Sequence, residues 1–480
     1  MKIKTLFCYA AALFVCFAAQ GQVAELQSFG QGNTLAKTYE PQFIGSDGQQ
    51  AFFVQMAGRL KNKMELVSYD MEQHELARVQ LSDDKEVKCY GGYLNNGGID
   101  LLMAQWEGDN MKVYRDRRDP QSLAPRGEQL VLADYKGTSG DNMGFGMGVS
   151  ANKELLACVY VIGREGQNTE LQVALYSREL EEYWKVDARS NRLDFIFVSD
   201  SGEVLIGGRN GSKFDIAVLD GETENHYQFE VDETRLAEVS LVRYAGGKIY
   251  FAATHWEKEK LTMNGVMADR IVAITYDTKR REVSLDRHDI TKIEYNRLNN
   301  FKDDAKVKHD DYRVIYLNII QSMPTKDAGY VMLDQTWRVN VDGVPTTQNR
   351  LGMMVAKIND DGKFEWVQTF RISNVYAWPA RMQGTYRWER TDKGLLLVWS
   401  ETKEKKEVPD EKPVKDYRGA NGSGMLTALL LDSNGNMQRQ HFEMPSRQCL
   451  LGHPYKLDNG DFLMIIRGVS RGYFAKMTLK

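Results

Sequence analysis

The residues best suited to recognition are four aromatic side chains in the second half of the chain. Trp256 and Trp337 stand at the start of two long segments, and Tyr376 and Trp378 lie together between two strand-like stretches. Aromatic rings bury a large apolar area, so they stack on sugars or anchor a protein partner. We take these four as candidate binding residues, although Trp256 and Trp337 fall at strand ends, where packing would explain them equally well.

The sequence contains no catalytic signature. Gly-x-Ser-x-Gly, His-Glu-x-x-His and paired Cys-x-x-Cys motifs are missing, and the seven histidines are scattered. Segment 303–311 is rich in Asp and contains His309, but its spacing matches no calcium loop and lysines interrupt it. We therefore expect no metal and no cofactor. The sequence favours a non-enzymatic role and leaves enzymatic activity open.

Short strands, rather than helices, must position these residues. From Pro41 onward the chain alternates runs of Val, Ile, Leu, Phe and Tyr with Gly, Asp and Asn turns. The runs fall into groups of four with no clear helix between groups. The groups begin near Gln42, Lys88, Gly144, Leu193, Glu238, Tyr316, Arg381 and Cys449.

The eighth group has only three strands before the chain stops. An alternating segment at 23–29, upstream of the first group, is placed to supply the fourth. Joining the two ends of the chain in one sheet would close a ring of sheets and remove its free edges.

This pattern resembles the architecture of secreted bacterial β-propeller proteins. The resemblance covers nearly the whole chain after residue 21 and rests on the repeated groups and their closure, together with one turn at 359–366 (Asn-Asp-Asp-Gly-Lys-Phe-Glu-Trp) that is similar to Asp-box or quinoprotein-type repeats. It implies an all-β fold: a single β-propeller of eight four-stranded blades over residues 22–480. Seven blades, or an array of β-sandwiches, are the alternatives.

In such a blade, the loops between strands one and two and between three and four lie on one face of the disc. Here these loops are mostly short Asp, Asn and Gly turns, and we call this side the tight-turn face. The opposite side, the long-loop face, would carry the longest insertions, at 256–268, 291–312, 338–350 and 402–423. Long loops in a compact fold commonly bind ligands, although surface insertions without a function are the alternative.

The N-terminus has the pattern of an export signal. Lys2 and Lys4 precede an apolar run at 6–19, and Ala19-Gln20-Gly21 has the small residues of a cleavage site. We expect residues 1–21 to be removed and the mature chain to begin at Gln22. Since no later apolar run reaches even this length, we expect no membrane span and a location in the periplasm or outside the cell.

The distribution of charged residues limits the classes of partner that we expect. The 62 basic and 66 acidic residues are interspersed, giving a net charge of −4, so nucleic acid is not an expected partner. The sequence thus predicts an exported envelope propeller that binds a protein partner or acts as a scaffold through its long-loop face, within an envelope assembly or secretion complex. The alternative is a carbohydrate-binding or carbohydrate-processing propeller.

Overall fold

The structure is a computed structural model, and it describes most of the chain after residue 23. The described residues are 24–28, 41–57, 63–72, 74–136, 144–165, 168–233, 235–256, 267–299, 301–306, 314–315, 317–325, 328–341, 344–377, 387–402, 423–443, 449–457, 459–467 and 472–480.

Eight antiparallel sheets follow one another along the chain, each with four strands in a row. Blade 1 contains β2 (Gln42–Ser46), β3 (Gln50–Ala57), β4 (Lys63–Asp70) and β5 (Glu75–Ser82). Blade 2 contains β6 (Val87–Asn95), β7 (Gly98–Glu107), β8 (Asn110–Arg118) and β9 (Leu130–Lys136). Blade 3 contains β10 (Gly144–Val149), β11 (Leu155–Glu165), β12 (Asn168–Ser177) and β13 (Glu182–Ser190). Blade 4 contains β14 (Phe195–Val198), β15 (Val204–Asn210), β16 (Lys213–Leu219) and β17 (Glu224–Glu230).

The second half of the chain repeats the pattern, and blade 6 has the longest strands. Blade 5 contains β18 (Leu236–Ala245), β19 (Lys248–Trp256), β20 (Met267–Asp277) and β21 (Glu282–Asp289), with β22 (Val314–Ile315) paired to β20. Blade 6 contains β23 (Leu317–Pro324), β24 (Ala328–Val341), β25 (Val344–Asn359) and β26 (Phe364–Ala377). Blade 7 contains β27 (Arg387–Thr391), β28 (Gly394–Thr402), β29 (Ser423–Leu431) and β30 (Met437–Glu443). Blade 8 contains β31 (Cys449–Lys456), β32 (Phe462–Arg467), β33 (Gly472–Leu479) and β1 (Ala24–Ser28).

The two ends of the chain meet in blade 8. Strand β1 pairs antiparallel with β33, from Ala24 opposite Leu479 to Ser28 opposite Ala475. Ala24 is fully buried, so the strand is packed as well as hydrogen-bonded. The predictions of eight blades and of closure by an N-terminal strand are both confirmed.

The hydrophobic core is divided among the spaces between blades. Eight clusters of buried residues each join two neighbouring blades, and the cluster that contains Phe53 and Phe474 joins blade 1 to blade 8. Because both faces of a blade pack against a neighbour, the middle strands are apolar on both faces. Strand β7 is an example, with residues 98–104 all buried.

A short helix, α1 (Lys292–Leu298), lies between blades 5 and 6. The sequence grouping placed no helix between blades, so that prediction was wrong here. Thr291 caps the helix by accepting from the Glu294 backbone N–H, and Glu294 accepts from the Thr291 backbone N–H at 2.8 Å. This reciprocal capping box satisfies two amide groups that a helix end leaves free, while buried Leu298 anchors the last turn.

The N-terminal export signal, residues 1–21, and the predicted new terminus, Gln22, lie outside the described residues. Within the described part of the chain, no helix combines the length and apolar character needed to cross a bilayer.

Candidate functional site

The four predicted binding residues have different positions. Trp256 is the last residue of β19, and it is partly exposed. Trp337 lies inside β24, opposite Asn349, and Tyr376 lies inside β26, opposite Gln348. Trp378 lies outside the described residues. Trp337 and Tyr376 are therefore brought into one sheet, whereas Trp256 belongs to the neighbouring blade.

Segment 338–350 is not the loop insertion that the sequence predicted. Strands β24 and β25 continue through it, pairing from Thr336 opposite Arg350 to Val341 opposite Val344. The residues are rich in Val, Thr and Asn, and they extend a pairing that the apolar core of blade 6 has already started. Residues 342–343, which join the two strands, lie outside the described residues.

These strands extend blade 6 past its own inner strand. Strand β23 pairs with β24 as far as Leu317 opposite Gln335, and among the described residues 336–341 pair with β25, which in turn pairs with part of β26. We call residues 336–341, 344–350 and 374–377 the blade-6 extension. At roughly 3.4 Å per residue, six residues rise about 20 Å from the end of β23.

The strand pairing is irregular at the base of the extension. Register shifts occur between Gln335 and Thr336 where β24 pairs with β25, and between Arg350 and Gly352 where β25 pairs with β26. Such bulges generally bend a strand and increase its twist. Both pairings of β25 therefore change register where the extension begins.

A cavity of about 620 Å³ lies at the same face of blade 4. It exists because inner strand β14 has only four residues and pairs with β15 only as far as Phe195 opposite Gly207. The connector from blade 3, residues 191–194, crosses the uncovered end of β15. A Cβ atom at Gly208 would lie 2.6 Å from Asp194 Oδ2 and 2.8 Å from Arg192 Cβ, so the connector passes close to the β15 backbone. Polar side chains lining the cavity are Asn191, Arg192, Arg209, Asn210, Lys213, Asp215, Gln228 and Glu230.

Some of these polar groups have partners within the fold, and Arg192 Nε lies 3.2 Å from Asp194 Oδ2. Asn191 Nδ2 donates to Asp215 Oδ2 at 2.6 Å, and Glu230 Oε1 accepts from Ser212 Oγ at 3.0 Å. Lys213 stands opposite Glu230 and Gln228 opposite Asp215 in the register of β16 and β17. Within the described residues, Lys213 and Gln228 have no side-chain hydrogen bond or ion pair. The cavity thus presents free hydrogen-bonding groups of both charge signs.

The aromatic rings beside the cavity are already covered. Phe229 stacks on Phe214 with centroids 4.9 Å apart and on Tyr276 with centroids 4.3 Å apart. Phe214 is buried. With both faces of Phe229 occupied, this three-ring stack offers a ligand no open ring face.

The wall between blades 4 and 5 is fixed by charged contacts. His255 lies between two carboxylates, with Nδ1 2.7 Å from Asp269 Oδ1 and Nε2 3.2 Å from Glu233 Oε1. The other oxygen of Glu233 accepts from Arg287 Nε at 2.8 Å. Burial lowers the pKa of Arg209, whose guanidinium donates to the backbone carbonyls of Gly211, Leu236 and Ala237. These contacts hold the blade 4–5 connector in place beside the cavity.

On the tight-turn face, hydrogen bonds instead connect neighbouring blades. Arg243 of blade 5 donates to Asp360 in the turn between β25 and β26, and Tyr250 OH donates to Asp360 O at 2.8 Å. On the other side of that turn, Trp366 Nε1 donates to Ser433 O of blade 7 at 3.0 Å. The Asp-box-like turn is therefore a link between three blades.

The sequence placed the candidate binding residues on the long-loop face in the second half of the chain and did not predict the cavity of blade 4. Its polar residues alternate with other residues along regular strands, so their spacing in the sequence does not identify them as lining a cavity. One signal was the brevity of the apolar run at 195–198, which leaves the next strand uncovered. Within the described ranges, no group of three or more His, Cys, Asp or Glu side chains is arranged to hold a metal ion.

The fold and this surface define the chain as an eight-bladed β-propeller with one elaborated face. No family model and no curated protein matches the chain. Among solved structures it is similar to Synechocystis apocarotenoid oxygenase, with 7% identity and a TM-score of 0.36 over 88% of this chain and 92% of the oxygenase. It is also similar to prolyl oligopeptidase B from Galerina marginata, with 10% identity and a TM-score of 0.38 over 90% of this chain. The chain spans 56% of that peptidase. At such low identities and TM-scores, the likeness transfers no activity or ligand.

Proposed function

We propose that this protein is an exported β-propeller of a cell envelope that binds a protein partner, or holds one as a scaffold, through its long-loop face. The N-terminal pattern of residues 1–21 supports export to the periplasm or beyond. An envelope assembly or secretion complex is the setting that we propose. The propeller fold itself supports a binding or scaffold role in general.

The blade-6 extension is the observation that carries this proposal. Strand β23 pairs with β24 only up to the base of the extension, and the strand pair that closes the ring, β1 with β33, does not involve the extension. It contains two of the predicted binding residues, Trp337 and Tyr376. A structure that contributes to recognition explains a projection that the ring does not need.

The size of the extension favours a protein partner over a small ligand. With strands about 4.8 Å apart and a height of about 20 Å, each face of three strands covers on the order of 200 Å². Both faces together supply about half of the roughly 800 Å² that each partner contributes to a standard interface. The remainder would come from the neighbouring rim of the disc.

The proposal is tested by shortening the extension. Replacing residues 338–348 with Asn-Gly keeps Trp337 opposite Asn349 and gives the strands a two-residue hairpin turn. The tagged protein is then crosslinked in native envelopes and purified, and the recovered partners are compared with those of the wild type. Recovery is expected to fall at least tenfold while the melting temperature stays within about 2 °C.

Control variants separate the two faces. Asn434→Ala changes an exposed side chain of a tight turn and should leave recovery unchanged. The triple variant Trp256→Ala, Trp337→Ala, Tyr376→Ala should lose recovery as the shortened protein does. Equal recovery from the wild type, the shortened protein and the triple variant would contradict the proposal, and specific retention of a polysaccharide would favour a carbohydrate-binding function instead.

A further inference from the structure

We propose that the blade-4 cavity binds a short extended peptide segment of four to five residues that carries both an acidic and a basic side chain. This inference rests on the proposed function, because it names the chemistry by which a protein partner would be recognised. The blade-6 extension plays no part in the cavity, so the two sites can be tested separately.

The dimensions of the cavity fit an extended chain. It runs from Asn191, in the connector from blade 3, across β15 and β16 to Gln228 and Glu230 of β17. Adjacent strands are about 4.8 Å apart, so the lining spans about 15 Å, which an extended segment covers with four to five residues at about 3.3 Å each. The volume of about 620 Å³ lies in the usual range for a ligand site.

The amide side chains match a peptide backbone. Asn191, Asn210 and Gln228 line the cavity, and each amide presents a donor and an acceptor in one plane. A peptide group presents the same pair. In the part of the chain that the structure describes, Asn210 and Gln228 have no side-chain hydrogen bond, so both are available to a ligand.

The charges require a ligand with groups of both signs. Lys213 and Glu230 are opposite each other in register but are not within ion-pair distance. Asp215 Oδ1 and Glu230 Oε2 receive no hydrogen bond from the described residues. An acidic side chain would meet Lys213, and a basic one would meet these carboxylate oxygens. Arg192 and Arg209 also line the cavity, but Arg192 is paired with Asp194 and Arg209 donates to backbone carbonyls, so Lys213 is the cation that the described lining leaves for a ligand.

The covered rings argue against a sugar at this cavity. Sugars are commonly held by stacking on an open aromatic face, and both faces of Phe229 are occupied by Phe214 and Tyr276. Recognition here must therefore depend on hydrogen bonds and charge, which an extended peptide supplies along its whole length.

The test uses a phage-displayed library of random dodecapeptides selected on the full-length mature protein. Enriched sequences are synthesised, and their dissociation constants are measured by fluorescence polarisation. Lys213→Glu reverses the charge at the cavity, and Gln228→Trp fills it from the outermost strand, where the side chain is exposed and the fold is tolerant. Each variant should weaken binding at least tenfold.

Two controls match these changes. Lys279→Glu reverses an exposed charge on the tight-turn face, and Glu224→Trp adds the same bulk at the other end of β17. Both should bind the peptides with wild-type affinity, as should the protein with the shortened extension. No enrichment, or enriched peptides whose affinity is unchanged by Lys213→Glu and Gln228→Trp, would overturn the inference. If the shortened protein lost its natural partner in that case, the proposed function would still stand.

Discussion

Substituting Gly352 tests whether α1 rests directly on blade 6. A Cβ atom at Gly352 would lie 2.3 Å from Leu298 Cα and 2.6 Å from Leu298 O. Both are backbone atoms, so no rotation of a side chain can relieve the clash. Because carbon atoms pack best about 3.5–4.0 Å apart, the helix and β25 would have to separate by more than 1 Å.

The cost of that separation can be estimated. Leu298 is fully buried in the core cluster shared by blades 5 and 6, so moving it disturbs close packing on both sides. Overpacking a core with one methyl group typically costs about 1–3 kcal/mol. With an unfolding entropy of roughly 2.1 cal/mol/K per residue, a chain of this length would lose about 1–3 °C in melting temperature if it unfolds as one unit.

Differential scanning calorimetry of Gly352→Ala measures the effect, and Gly352→Val, with two further methyl groups in the same space, should lower the melting temperature more. Gly91→Ala is the matched control, because its Cβ would meet only Met147 Cε at an ordinary 3.6 Å. The control should be neutral or slightly stabilising, since alanine restricts the unfolded chain. Equal melting temperatures for Gly352→Ala, Gly352→Val and Gly91→Ala would refute the packing of α1 on β25.

Three further predictions concern the ring and the α1 segment. Deleting residues 22–36 removes β1 and exposes the edge of β33. The melting temperature should therefore fall, and aggregation measured by light scattering should rise. An unchanged melting curve would contradict closure of the ring by β1. Trp399→Ala should destabilise the protein by about 3–5 kcal/mol, because the indole ring is fully buried between blades 6 and 7. A shift in the denaturant midpoint as small as that of an exposed-site variant would contradict this packing. Hydrogen bonds from Arg297, with the charge of Arg371, lower the pKa of Asp303. The contribution of ionised Asp303 to the stability of the folded protein is therefore full above the unfolded pKa of about 3.9, and it is lost as the pH falls through the lower folded pKa. The melting-temperature difference between wild type and Asp303→Asn should accordingly be constant above about pH 5 and shrink below about pH 4, and a difference independent of pH would disprove the link.

The sequence determined the blades because their signal is local. Each strand packs its two faces against neighbouring blades, so apolar runs separated by Gly, Asp and Asn turns mark it wherever it stands in the ring. Closure was equally accessible, because an eighth group with three strands requires a fourth. Trp388 and Trp399, whose positions fit strand packing, are buried as the pattern indicates.

The blade-6 extension and the position of α1 could be found only from the tertiary structure. A polar run such as 338–350 has the composition of a loop, and only its pairing with an established strand pair makes it the blade-6 extension. The α1 helix was not predicted from the sequence, and its position on Gly352 depends on a contact that only the tertiary structure makes.

The blade-4 cavity shows the same limit. Lys213 and Glu230 are register partners on β16 and β17, but Asn191 joins them only because a short inner strand leaves β15 uncovered and a connector crosses it. The spacing of apolar residues along a chain predicts which residues are buried inside a regular blade. Because every blade has the same strand arrangement, this pattern does not distinguish one blade from another. A cavity arises where one blade departs from the repeat, and the distances between residues from different strands are then set by packing.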